Sequence, residues 1–205
     1  MAIVVVFLVI AGLNSFYTIK EQEQAVVTTF GQPHAVSEPG LHLKIPFVQK
    51  VRKVNTTING FAIGYEETTG ATIEDESLMI TSDYNFVNVD FYVEYKVSDP
   101  IKALYASDEP VFILKNIALS CIRSTIGMYD VDSVITTGKN EIQAAIKERI
   151  MDRLEENNIG IQLINITIQD AEPPTQQVIE AFKAVETAKQ QAETVVNDAK
   201  AYQNA

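Results

Sequence analysis

Apolar residues fall at three spacings along this chain, and each spacing predicts a different element. The first is continuous. Met1 to Leu13 is apolar throughout, and no charge appears before Lys20. Those 19 uncharged residues come close to the ~20 that cross a bilayer as a helix at ~1.5 Å per residue. The body of this expected anchor, residues 1–19, is Ile3, Val4, Val5, Val6, Phe7, Leu8, Val9, Ile10 and Leu13, with Phe16 and Tyr17 suited to the interface. A cleaved signal peptide would need a basic start and a small-residue cleavage site, and neither is clear. A buried core segment is the remaining alternative. No Lys or Arg precedes the run, and Lys20 sits beside Glu21, so charge leaves the orientation open.

The second spacing is two, the period of a half-buried strand. Ala25 to Phe30 is a β-rich run ending at Gly31, followed by a turn-rich stretch to Gly40. Leu41, Leu43 and Ile45 then alternate with His42 and Lys44, and Pro46 restricts this segment to an edge or loop. Leu41 and Phe47 lie near the anchor in sequence and are candidates for contact with the membrane surface; a plain hairpin core is the competing reading. Val51 to Ile63 predicts one or two strands broken at the turn dipeptide Asn59-Gly60. The acidic knot Glu74-Asp75-Glu76 lacks the spacing of a calcium loop and reads as a solvated hairpin turn. The clearest strand is Val87 to Val97, with Val87, Val89, Phe91, Val93, Tyr95 and Val97 on one face.

The third spacing is helical. Asp108 is the expected N-cap and Pro110 fits the first turn. Val111, Leu114, Ala118, Cys121, Ile122 and Thr125 share one face, and the helix should end near Gly127. Asp130 and Asp132 mark a loop. A second helix from about Gly138 turns Ile142, Ala145, Ile146, Ile150 and Leu154 inward and stops at Asn157-Asn158 and Gly160. Alternation returns with Ile164, Ile166 and Ile168 expected on one face, after an apolar phase slip between Leu163 and Ile164 that a bulge or a late strand start would explain. Pro173 and Pro174 have no N–H to donate to a ladder, yet fit a helix start. Asp170, Glu172, Pro173 and Pro174 therefore read as a pivot between a β-containing body and a rod.

Along that rod Val178, Ala181, Val185, Ala188, Ala192, Val195, Ala199 and Tyr202 follow one another at intervals of three and four, a heptad seam without a polar break. Its small side chains suit a broad sheet of neighbouring helices better than an isolated pair. The competing reading is a solitary surface helix packed on its own body. Against it, Pro174 to Ala205 would span ~48 Å as a helix, more wall than such a body offers. The expected class is α+β: an anchor at 1–19, a membrane-proximal β-rich part at 20–86, an α+β part at 87–172 and the start of a long helical rod at 173–205.

Composition narrows the function. A net charge of −11 and a pI near 4.6 repel phosphate backbones, which argues against a nucleic-acid partner. One cysteine, Cys121, permits no intrachain disulfide. On the apolar face of a helix it reads as an inert thiol. His34 and His42 have no companions to complete a zinc set, and no Gly-x-Ser-x-Gly, phosphate loop or His-Glu-x-x-His occurs. No catalytic, cofactor or metal residues are expected. An enzyme with dispersed residues, such as a membrane hydrolase, is the alternative class.

Asn88-Val89-Asp90-Phe91 with Val97-Ser98-Asp99-Pro100, Ile122-Arg123-Ser124-Thr125-Ile126-Gly127, and Ile168-Gln169-Asp170-Ala171-Glu172-Pro173-Pro174 resemble the SPFH or band 7 family (stomatin, prohibitin, flotillin, HflK/HflC). The likeness runs from about Lys20 to the end. Val178-Ile179-Glu180-Ala181-Phe182 and Ala199-Lys200-Ala201-Tyr202 are most similar to its HflK branch. The resemblance implies a single-pass subunit of the bacterial cytoplasmic membrane, with its domain outside that membrane. Such subunits build a ring or cage, with copies of themselves or a paralogous HflC-like subunit, around an ATP-dependent FtsH-type protease and limit its access to substrates. The cytoplasmic segment often found before the anchor in that branch is absent here, which weakens the basis for orientation. A cytoplasmic face and a stomatin-like lipid organiser without a protease stay open.

Overall fold

The computed structural model describes residues 15–203. The anchor expected at Ile3–Ile10 and Leu13 lies outside them, and among the described residues no helix is long and apolar enough to cross a membrane. The chain begins with β1 (Phe16–Ile19), β2 (Glu23–Thr29), β3 (Gln32–Val36), β4 (Gly40–Leu43) and β5 (Gln49–Asn55). β1 pairs with β4, and β2 is the centre of an antiparallel β3-β2-β5 sheet. Ala25, Val26 and Val27 of β2 are its buried residues.

The larger unit is built on β8 (Phe86–Val97). β6 (Asn59–Ile63) and β7 (Leu78–Ile80) share one edge of β8, and β9 (Ile161–Glu172) runs along the other. Strands 59–80 thus belong to the sheet of the second unit, and the boundary expected at residue 86 moves back to the connection at 56–58. Asn59-Gly60 lies inside β6 rather than at a turn. A side chain on residue 60 would come within 2.6 Å of the Tyr92 hydroxyl on β8, so the Tyr92 ring lying over the strand, not a reversal, places glycine there.

Two helices cover one face of this sheet, α3 (Pro110–Ile126) and α4 (Lys139–Asn157). They follow two short helices, α1 (Glu74–Ser77) and α2 (Pro100–Tyr105). Val87, Val89, Phe91 and Val93 meet Leu114, Ile122, Ile142, Ile146 and Ile150 in one core. The alternation of β8 is borne out from Val87 to Val93, with Tyr95 and Val97 half-buried, and the helical spacings are borne out except at Val111 and at Ala145, which is half-buried. Val111 is exposed. The N-cap is Glu109, not Asp108, and its side chain accepts no capping bond. The segment marked by Asp130 and Asp132 is a π-helical turn, Ser133–Thr137, with Asp130 Oδ1 accepting the Ser133 N–H at 2.8 Å.

β9 explains the phase slip. Leu163 opposes Tyr95 and Asn165 opposes Glu94, so Ile164 is an extra, bulged residue. A second irregularity places Ile168 opposite Phe91 and Asp170 opposite Asp90. Core residues along β9 are therefore Ile161, Leu163, Ile166, Ile168 and Ala171, and Ile164 does not share the face of Ile166 and Ile168. β9 forms an outer strand of this sheet. The Gln143 side chain accepts the Ile168 N–H at 2.6 Å, and bulges plus such side-chain caps blunt an open edge.

The acidic knot is a helical turn, not a solvated hairpin. Glu76 pairs with Lys115 of α3 at 2.6 Å and accepts the Gly64 N–H at 3.2 Å. Glu76→Gln should lower stability by about 2 kcal/mol, the scale of a part-buried charged hydrogen bond. Urea unfolding would measure it, and a change below about 0.5 kcal/mol would show that solvent screens the pair.

Candidate membrane and assembly surfaces

The N-terminal strands gather exposed apolar side chains at one rim. Phe16 lies opposite Leu43, and the Lys44 N–H bonds the Ser15 carbonyl at 2.7 Å, so the chain enters the body beside this loop. Gln49 ties the loop to β2, accepting the Ile45 N–H at 2.8 Å and donating to Thr29 Oγ1 at 3.1 Å. That bond brings Phe47, 80% exposed, towards Phe30, 87% exposed. Leu41, Leu43 and Ile45 are exposed as well, so the hairpin-core reading of this segment is not what the structure has. His42 stacks on Tyr17 at 5.4 Å and bonds the Glu38 carbonyl at 2.8 Å.

Phe30 was not legible as a surface residue from the sequence. It forms the two-residue β2–β3 turn with Gly31, at φ 50° and 89°. Both angles are positive, the requirement of a type I′ turn, whose usual first residue is Asn or Asp. A bulky ring at such a φ costs on the order of 1 kcal/mol or more.

At the pivot, Asp90 of β8 lies opposite Asp170 of β9, and Asn88 opposite Glu172. Pro173 is buried and Pro174 half-buried. Asp170 Oδ1 accepts the Ala171 N–H at 2.8 Å. The Asp90 carboxyl lies above the usual carboxylate range, first through burial and then through the charges of Asp170 and Glu172. Asp90 Oδ1 and Asn88 Oδ1 are buried and have no hydrogen-bond partner among the described residues. A carboxyl whose folded pKa is raised contributes most below its unfolded pKa of about 3.9 and loses that contribution as pH rises through the folded value. Asp90→Asn should therefore stabilise the protein at pH 7, by up to about 1 kcal/mol for relieving like charges on paired strands. The gain should shrink towards pH 4. A gain independent of pH would mean that charge repulsion is not its source.

Beyond the pivot, α5 (Gln176–Gln203) carries the seam. Val178, Ala181, Val185, Ala188, Ala192, Val195 and Ala199 are all exposed; the side chain of Tyr202 lies outside the described residues. The seam does not pack on its own body.

Chemistry elsewhere is sparse. Burial pushes the Cys121 thiol up, against the opposing pull of Arg153 and Arg149, which leaves little thiolate at neutral pH. Among the described residues no group of three or more His, Cys, Asp or Glu is placed to hold a metal.

Residues 17–203 match the family described as SPFH domain / Band 7 family. The chain is 33% identical over 196 residues to the Modulator of FtsH protease HflK of Escherichia coli strain K12, covering 96% of this chain and 44% of that protein. It is 32% identical over 191 residues to Protein HflK of Buchnera aphidicola subsp. Schizaphis graminum, covering 93% and 44%. With Protein HflK of Borreliella burgdorferi it shares 27% over 202 residues, 96% of this chain and 65% of that one. The chain thus spans less than half the length of the first two relatives. The match runs from β1 to the end of α5, through the bulged strand and its proline pivot, and on it the chain belongs to the SPFH domain / Band 7 family and is HflK-like within it.

Proposed function

We propose that this chain is a non-enzymatic, membrane-anchored scaffold subunit that assembles into a ring or cage and modulates an FtsH-type membrane protease. The observation that carries the reading is the apolar heptad seam of α5, exposed at every described position. Such a seam is buried when neighbouring helices meet it. The relative named as a modulator of FtsH protease supports the partner. Neighbours are copies of this chain or a paralogous HflC-like subunit. Residues 1–19 anchor the subunit as a single pass of the bacterial cytoplasmic membrane, with the body on the extracytoplasmic side.

Extraction in mild detergent tests the reading. A large oligomer that carries an FtsH-type protease is the expected result, and a clean monomer would sink it. An oligomer without protease would favour the second reading, a stomatin-like organiser of lipid, which the exposed rim around Phe30 and Phe47 supports. The rim has its own test, because the chain contains no tryptophan. Phe30→Trp in the reconstituted full chain should give blue-shifted emission quenched by brominated lipid. Emission at the wavelength of a water-exposed indole, quenched instead by iodide, would remove the rim from the membrane.

A further inference from the structure

The layered body of β6–β9 and α3–α4 has two outer faces, and each carries apolar side chains beside charged ones. On the sheet face turned away from the helices, Leu78, Ile80 and Phe86 are 39%, 51% and 52% exposed. Ile80 lies opposite Phe86 and Leu78 opposite Asn88, so the three form one apolar strip. Glu172 is the other cross-strand neighbour of Asn88, and Asp170 follows it along the same face. Both carboxylates are exposed. The strip therefore ends in an acidic corner at the foot of the rod.

The helix face carries an apolar groove with two guanidinium groups beside it, among the carboxylates of α4, one of which, Glu156, pairs with Arg153 at 3.3 Å. A groove of about 410 Å³ between α3 and α4 is lined by Ile113, Ile117 and Cys121, with Arg153 on its wall. Arg149 stands beside it, donating to Ser124 Oγ on α3 at 3.1 Å. Both guanidinium groups act on the Cys121 thiol, pulling its pKa down against burial. In a chain of net charge −11, three of the four arginines, Arg123, Arg149 and Arg153, lie on these two helices.

We infer that these faces bind each other between copies of this chain: the strip and acidic corner of one subunit dock on the arginine-walled groove of the next. Two features select a second copy as the occupant. Each face supplies the apolar surface the other needs, and the carboxylates match guanidinium groups in charge and in planar geometry. The faces lie on opposite sides of the layered body, so the contact is heterologous. It propagates from subunit to subunit instead of closing as a two-fold pair. Joined to the seam of α5, it gives each subunit two independent contacts with its neighbour, one in the body and one in the rod. The inference rests on the scaffold reading and specifies how its bodies meet.

The test is charge exchange in the full chain, extracted in mild detergent. Asp170→Lys/Glu172→Lys should shift the assembly to smaller species, with at least about tenfold more protein needed for half-assembly, and so should Arg149→Glu/Arg153→Glu. The four changes together should restore the size, because the pairing is reversed but kept. Circular dichroism establishes that each variant is folded. A second measurement does not depend on the swapped charges. In a Cys121→Ala background, Phe86→Cys with Asn116→Cys and a short bis-maleimide should give a covalent ladder extending beyond dimer, while either cysteine alone should give none. If the unmodified chain assembles neither alone nor with a paralogous subunit, the scaffold reading fails; assembly only with the paralogue would overturn the second copy as occupant. Should it assemble with its size indifferent to both exchanges and no ladder formed, this interface alone is overturned. Cross-links confined to a different co-purifying protein would overturn the second copy as occupant.

Discussion

Phe91→Ala should lower the free energy of unfolding by about 3–5 kcal/mol, the usual range for deleting a fully buried aromatic ring. Phe91 is fully buried on the central strand of the larger sheet. It has a cross-strand neighbour on each side, Ile63 of β6 and Ile168 of β9, and shares a core with α3 and α4. It also lies directly beside the second β9 irregularity, between Asp90 and Phe91. Backbone on both sides is held by ladder bonds, so the site has little freedom to collapse into the vacated volume. Domains of this kind are stable by about 5–15 kcal/mol, and the loss would take about a fifth or more. Urea unfolding followed by circular dichroism would measure it as a lower midpoint at unchanged slope. Tyr84→Ala is the matched control. That ring is 88% exposed at the tip of the β7–β8 connection, and its removal should change stability by no more than about 0.5 kcal/mol. Similar losses in the two variants would mean that the core is not centred on β8.

Ala188→Asp should have the larger effect on assembly and almost none on folding. Ala188 sits in the middle of the seam and is exposed in the single subunit, so the charge costs nothing there. When neighbouring rods close over the seam, each copy must bury an unpaired carboxylate, which costs several kcal/mol unless it is neutralised. Every subunit would repeat that cost. The expected result is loss of the large species in mild detergent, with thermal unfolding of the body unchanged. An unaltered particle size would show that residues 178–202 are not an interface.

Much of the body was legible because its periods are clean. In β8, inward Val, Phe and Tyr alternate with outward Asn, Asp, Glu and Lys, and no other element satisfies that pattern. The inward stripes of α3 and α4 survive except at Val111, which is exposed, and Ala145, which is half-buried, and Glu109 replaces Asp108 as the cap. The Ile164 bulge was announced by a shift in apolar phase. The irregularity at Gln169 was not, because polar residues on both sides leave no phase to read. Glu74-Asp75-Glu76 was misread because its partner Lys115 is 39 positions away from Glu76, and local sequence does not show an ion pair formed across elements.

By itself the sequence determined the main strands and helices of the second half, the end of β9 before Pro173-Pro174 and the helical period of α5. Each follows from local chemistry: a repeat of two or of three and four, a missing donor, a stiff ring. Only the tertiary structure decided which apolar residues have no cover. Leu43, Ile45 and Phe30 read as ordinary strand and turn residues, and Leu41 and Phe47 as candidates beside a competing hairpin core, until β1–β4 pairing and the bonds of Gln49 bring their segments to one rim. Leu78, Ile80 and Phe86 stand outward because β7 joins β8 in a register that turns Met79 and Val87 to the core. Exposure depends on what packs against a residue, and that is settled by contacts between segments distant in the chain.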